Sequence, residues 1–71
     1  MAETFNMYMI KGYKNEKDAE IIEDVLKNID GIIKFKIEKV FGAVELTYDD
    51  EKITREEISN KLKTKGFELK Y

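Results

Sequence analysis

Cysteine and histidine are both absent from this sequence of 71 residues. Their absence excludes disulfide staples, thiolate or imidazole metal sites, and the Cys–His and Ser–His pairs of nucleophilic catalysis. With no thiol, nothing marks the redox compartment. Proline is also absent and glycine occurs four times, so no stretch has the composition of a linker or a low-complexity tract. No apolar run approaches the roughly 18 residues of a membrane span, and none has the form of a signal-peptide core. The expected location is therefore cytoplasmic, with no membrane contact. Neither sign of charge dominates: 13 Lys and Arg face 15 Asp and Glu, for a net charge of −2. That balance supplies no electrostatic footprint for nucleic acid, so no nucleic-acid partner is expected.

A chain of this length makes one unit, residues 1–71, that buries only about 60% of its unfolded surface. Packing alone must stabilise it, with an expected margin of roughly 4 to 10 kcal/mol. Met1 to Glu3 are expected to fray.

The aromatic and apolar run from Thr4 to Lys11 predicts a first strand closed by Gly12. Asn15 offers an N-cap oxygen, Glu16 and Asp18 place negative charge in the first turn, and Ala19, Ile22, Val25, Leu26 and Ile29 follow at helical spacing. The spacing predicts a helix from Glu16 to Asn28, ended at Asp30-Gly31. From Ile32 to Lys39, Ile33, Phe35 and Ile37 alternate with Lys34, Lys36 and Glu38, the pattern of a strand covered on one face. A turn near Phe41-Gly42 leads into Val44, Leu46 and Tyr48 on one face and Ala43, Glu45 and Thr47 on the other, predicting a hairpin.

Thr54-Arg55-Glu56-Glu57 is a capping box, and Ile53 with Ile58 fits its hydrophobic staple. A second helix follows, with Ile58 and Leu62 inward, Lys61, Lys63 and Lys65 near its end, and Gly66 as its stop. Phe67, Leu69 and Tyr71 alternate as a last strand. The order βαββαβ predicts an α+β, ferredoxin-like sandwich: two helices on one face of a four-stranded antiparallel sheet, with the first and third strands central. The other sheet face is left open.

Gly12, Ile22, Glu23 and Leu26 stand in the register of a G-M-x-C-x-x-C loop leading into a helix of the form x-x-x-I/V-E-x-x-L. Asn28-Ile29-Asp30-Gly31-Ile32 looks like an L-P-G-V turn, Val44-Glu45-Leu46-Thr47-Tyr48-Asp49 like V-x-V-x-Y-D, and Lys65-Gly66-Phe67-Glu68 like a closing G-Y-x segment. In these features the chain resembles the heavy-metal-associated, copper-chaperone-like domain family over nearly its whole length. The resemblance implies the ferredoxin-like fold and a metal-handling ancestry. It departs where the chemistry lies: Tyr13 replaces the methionine, and the two cysteine positions fall on Asn15 and Asp18. An amide oxygen and a carboxylate are hard ligands that cannot stand in for thiolates on a soft ion.

Asn15 and Asp18, with Glu16, are the candidate site for a weakly held metal ion, while the same residues make an ordinary helix start. Asp49, Asp50 and Glu51 read as a solvated loop rather than a Ca²⁺ or Mg²⁺ site. No cofactor is otherwise expected. The Met7-x-Met9 pair could touch Cu(I), though two thioethers are few. Strand one has two open parities. If Tyr8 and Ile10 face the helices, as the resemblance implies, then Phe5, Met7 and Met9 form an apolar stripe on the open face, a candidate interface for a protein partner or a second copy of the chain. With the opposite parity the stripe is core and Asn6, Tyr8 and Ile10 face out.

The third strand lacks a ribonucleoprotein-type motif. Arg55, the single arginine, sits at a helix start rather than in a phosphate-cradling loop, and Ser59 has no base beside it in sequence. The expectation is a non-enzymatic binding, regulatory or protein-interaction module. The alternative is a copper-type chaperone, transport or detoxification protein with ligands drawn from Met7, Met9, Asn15 and Asp18.

Overall fold

The computed structural model describes residues 3–70. Strand β1 (Glu3–Lys11) leads to helix α1 (Glu16–Lys27), then β2 (Ile32–Glu38), β3 (Ala43–Asp49), α2 (Arg55–Lys63) and β4 (Glu68–Lys70). The sheet order is β2-β3-β1-β4 with every pairing antiparallel. This is the ferredoxin-like sandwich that the element order predicts. Glu3, expected to fray, instead pairs with Asp49 and extends β1 by one residue. Met1, Ala2 and Tyr71, assigned in the sequence to the frayed end and the last strand, lie outside the described residues.

Burial settles the parity of β1. Tyr8 and Ile10 are buried, whereas Phe5, Met7 and Met9 are exposed. Tyr8 and Ile10 join Val44, Leu46 and Tyr48 of β3, Ile22 and Leu26 of α1, Ile58 and Leu62 of α2, and Phe67 and Leu69 in one core. Each strand supplies alternate residues to it because successive side chains point to opposite sheet faces. The Tyr8 and Tyr48 hydroxyls lie 3.4 Å apart inside this core, so each phenol has a polar neighbour where water cannot reach. Ser59, a residue without a neighbouring base in sequence, accepts the Leu69 amide through its buried hydroxyl at 3.1 Å and so ties α2 to β4.

One sequence expectation fails in β2. Ile33, assigned with Phe35 and Ile37 to the covered face, is exposed, and Ile32 packs against the core in its place. The cause is a bulge: Ile32 pairs with Tyr48 and Lys34 with Thr47, so Ile33 is an extra residue with no partner of its own. The approach to the bulge is tight, since the Asp49 amide bonds the Gly31 carbonyl at 2.8 Å. Gly31 adopts φ 105°, and a Cβ there would come within 2.9 Å of the Ile53 side chain. From Phe35 onward the predicted alternation holds.

The bulge has a measurable consequence. In urea unfolding followed by circular dichroism, Leu46→Ala is expected to cost about 2–5 kcal/mol, as for any buried leucine. Ile33→Ala is expected to cost less than about 1 kcal/mol, the range of a surface change.

Candidate functional site

The loop after β1 is built around the start of α1. Asn15 is the N-cap in extended conformation, and its side-chain oxygen accepts the Lys17 amide at 3.0 Å. Asp18 turns back on the loop and accepts the Lys14 amide at 2.7 Å and the Asn15 amide at 3.4 Å. Together they close a reciprocal capping box. The two side chains at the cysteine positions of the resemblance are thus brought together, and both are engaged with backbone N–H groups. Among the described residues, no group of three or more acidic side chains is gathered that could hold a metal ion.

The acidic run Asp49-Asp50-Glu51 is likewise engaged. Asp49 accepts the Glu51 amide at 3.0 Å, and Asp50 accepts the Thr4 hydroxyl at 2.7 Å, which pins β1 to the turn after β3. These carboxylates organise a turn in the manner common to aspartates.

Tyr13 stands where the resemblance has methionine and joins this loop to the β2–β3 hairpin. Its hydroxyl donates to the Lys39 carbonyl at 2.8 Å. Its ring lies so close over Gly42, which has φ 67°, that a Cβ there would come within 2.7 Å of it. Desolvation against the hairpin, and then the negative charges of Glu16 and Asp18, hold its phenol above the ordinary tyrosine value of 10.0.

On the open sheet face Phe5, Met7 and Met9 are 63%, 55% and 48% exposed. They stand opposite Thr47, Glu45 and Ala43 of β3 respectively. All three sequence-proposed interface residues therefore share one solvent-facing stripe. The largest apolar exposure among the described residues lies elsewhere, at the predicted turn: Val40 and Phe41, at the hairpin tip, are 89% and 74% exposed. The available signal was two bulky apolar residues in a row at a position where a turn needs none.

Removal of the Tyr13 hydroxyl tests the tether. Tyr13→Phe is expected to cost roughly 0.5–1.5 kcal/mol at neutral pH in denaturant unfolding. Because the folded phenol is held above its unfolded value, its contribution is complete below about pH 10 and is lost as pH rises through the folded value. Parent and variant should therefore converge in stability under strongly alkaline conditions.

No family model matches the chain. A stretch of 58 residues, 82% of the chain, is 26% identical to the copper-transporting ATPase RAN1 of Arabidopsis thaliana and spans 6% of that protein. Among solved structures, a putative copper-ion-binding protein from Bacillus anthracis superposes with a TM-score of 0.87 at 22% identity, over 97% of each chain. The CopZ metallochaperone gives 0.80 at 21% identity, over 93% of this chain and 98% of that one. Oxidized MerP from Ralstonia metallidurans CH34 gives 0.87 at 13% identity, over 96% of this chain and 94% of that one. The chain therefore has the fold of the heavy-metal-associated, copper-chaperone-like domains and resembles them over nearly its whole length, without their cysteine pair.

Proposed function

We propose that this chain is a non-enzymatic interaction module that keeps the architecture of a metal-handling domain and has given up soft-metal transfer. The observation that carries the reading is the state of the loop. Asn15 and Asp18, at the former ligand positions, spend their oxygens on the backbone of the α1 start. A metal would have to displace those bonds to gain two hard, weak ligands. What remains for recognition is surface, and the Phe5–Met7–Met9 stripe on the open sheet face is the proposed docking surface for a protein partner. Large apolar side chains on a central strand add little to stability when half of each is in water, so their place there is better explained by contact than by packing. Small size, the lack of a nucleophile–base pair and the absence of an apolar helix long enough to cross a membrane among the described residues are compatible with this role.

An amide-resolved NMR titration with Cu(I), Zn²⁺ and Mg²⁺ under reducing conditions tests the loss of metal function. The parent is expected to give no saturable shifts. A variant carrying Asn15→Cys and Asp18→Cys is expected to give saturable Cu(I) shifts from Tyr13 to Ala19. Saturable shifts in the parent, at that loop or at Met7 to Met9, would instead establish a metal-handling protein with new ligands.

The stripe has its own test. Met7→Lys is expected to leave unfolding stability within about 0.5 kcal/mol of the parent, as at an exposed site. A loss of about 2 kcal/mol or more would show Met7 to be part of the core and remove the basis for a docking role.

A further inference from the structure

The charges of this nearly neutral chain are separated along its length. At the end where β1 and β2 finish and α1 begins stand the exposed residues Lys11, Lys14, Lys17, Lys39, Lys63 and Lys65. Of these, only Lys63 is in an ion pair among the described residues, with Glu68 at 3.6 Å. Glu16, Asp18, Glu38 and Glu68 are the acids at the same end; Glu38 already faces Lys36 at 3.6 Å, and Glu68 stands opposite Lys11 in the β1–β4 register. The opposite end gathers Asp30, Asp49, Asp50, Glu51, Glu56 and Glu57, with Lys27, Lys34, Lys52 and Arg55 as the cations there, Lys27 being paired with Asp24 at 3.1 Å.

Each end also carries an apolar feature. Val40 and Phe41 project from the lysine end on the hairpin tip, flanked by Lys39 and by the Tyr13-Lys14 loop that Tyr13 bonds to Lys39. At the acidic end a shallow depression of about 380 Å³ is lined by Asp30, Gly31, Ile32, Ile33, Asp49 and Lys52. Ile33 is there because the bulge turns it out of the core.

We propose that a second copy of this chain docks end to end, the Val40–Phe41 tip of one copy seated in the Ile32–Ile33 depression of the next. Lys39 and Lys14 then approach Asp30 and its acidic neighbours. Knob and socket are different patches, so the contact is heterologous and leaves one of each free at the ends of an assembly. A net charge of −2 offers little overall repulsion to oppose it. A contact of two side chains and a ring of surface charges is small, so the association is weak and salt-sensitive. It does not involve the Phe5–Met7–Met9 stripe and stands or falls apart from that reading.

Analytical ultracentrifugation at up to about 1 mM protein, the range in which weak contacts are read, tests it. At low salt the average mass should rise with concentration, and it should return to that of the monomer near 1 M NaCl, where the screening length is about 3 Å. A knob variant (Val40→Asp with Phe41→Asp) and a socket variant (Asp30→Lys with Ile33→Lys) should each remain monomeric alone. Mixed, they should form a one-to-one dimer and nothing larger, because one retains the socket and the other the knob. That gain on mixing also shows that both variants are folded. Met7→Lys should associate as the parent does. A parent that stays monomeric at low salt, or two variants that stay apart on mixing while the parent associates, would overturn the proposal. So would a monomeric parent that sediments with phosphatidylserine vesicles, which would assign the tip to a lipid surface.

Discussion

The pairing of β1 with β3 through the middle of the sheet is the contact on which the rest of the molecule depends. It aligns Tyr8 with Val44, and it gathers Tyr8 and Ile10 of β1 with Val44, Leu46 and Tyr48 of β3 into one core with residues of both helices. With no cysteine to form a disulfide, the cooperativity of a small core must come from such non-local contacts. A slip of one residue would exchange Tyr8 and Ile10 for Met7 and Met9 beneath the helices and turn the core to solvent. The register is held at both ends, by the Ile10 amide on the Gly42 carbonyl at 2.8 Å and by the Thr4–Asp50 side-chain bond.

That same register has a functional side. By burying Tyr8 and Ile10 it exposes Phe5, Met7 and Met9, so the open face is a consequence of the core rather than a separate feature. The loop that follows has been closed in a different way. In place of ligands directed outward, its polar side chains are directed at its own amides, and Tyr13 fastens it to the hairpin. A helix start satisfied in this way is stable without a bound ion, because its orphaned N–H groups already have acceptors. Asn15 and Asp18 are both committed to capping α1.

Much of this architecture was legible because it rests on local patterns. The capping box at Thr54 and Glu57 forms as read, with the Glu57 amide bonded to the Thr54 hydroxyl at 3.1 Å. Val44, Leu46 and Tyr48 alternate into the core as read, and Ile22 and Leu26 mark the buried side of α1. Asn15 was readable as a cap, while Asp18 as its reciprocal partner was visible only as negative charge in the first turn. Ile33 misled because Ile32 and Ile33 are chemically identical. Alternation cannot say which of two adjacent isoleucines is the inserted one when a bulge changes the phase between them.

What the sequence determined by itself was the kind and order of the elements, their caps, the fold they build and the absence of cysteine and histidine, since each depends on residue types within a few positions of one another. The tertiary structure alone decided the parity of β1, the bulge that exposes Ile33, the bond from Tyr13 to Lys39 and the exposure of Val40 and Phe41. It also decided the sorting of charge, because lysines that are scattered along the chain meet at one end only when strands and helices run back and forth. These features depend on which distant segments are brought face to face, and a pattern read along one strand carries no information about its neighbour.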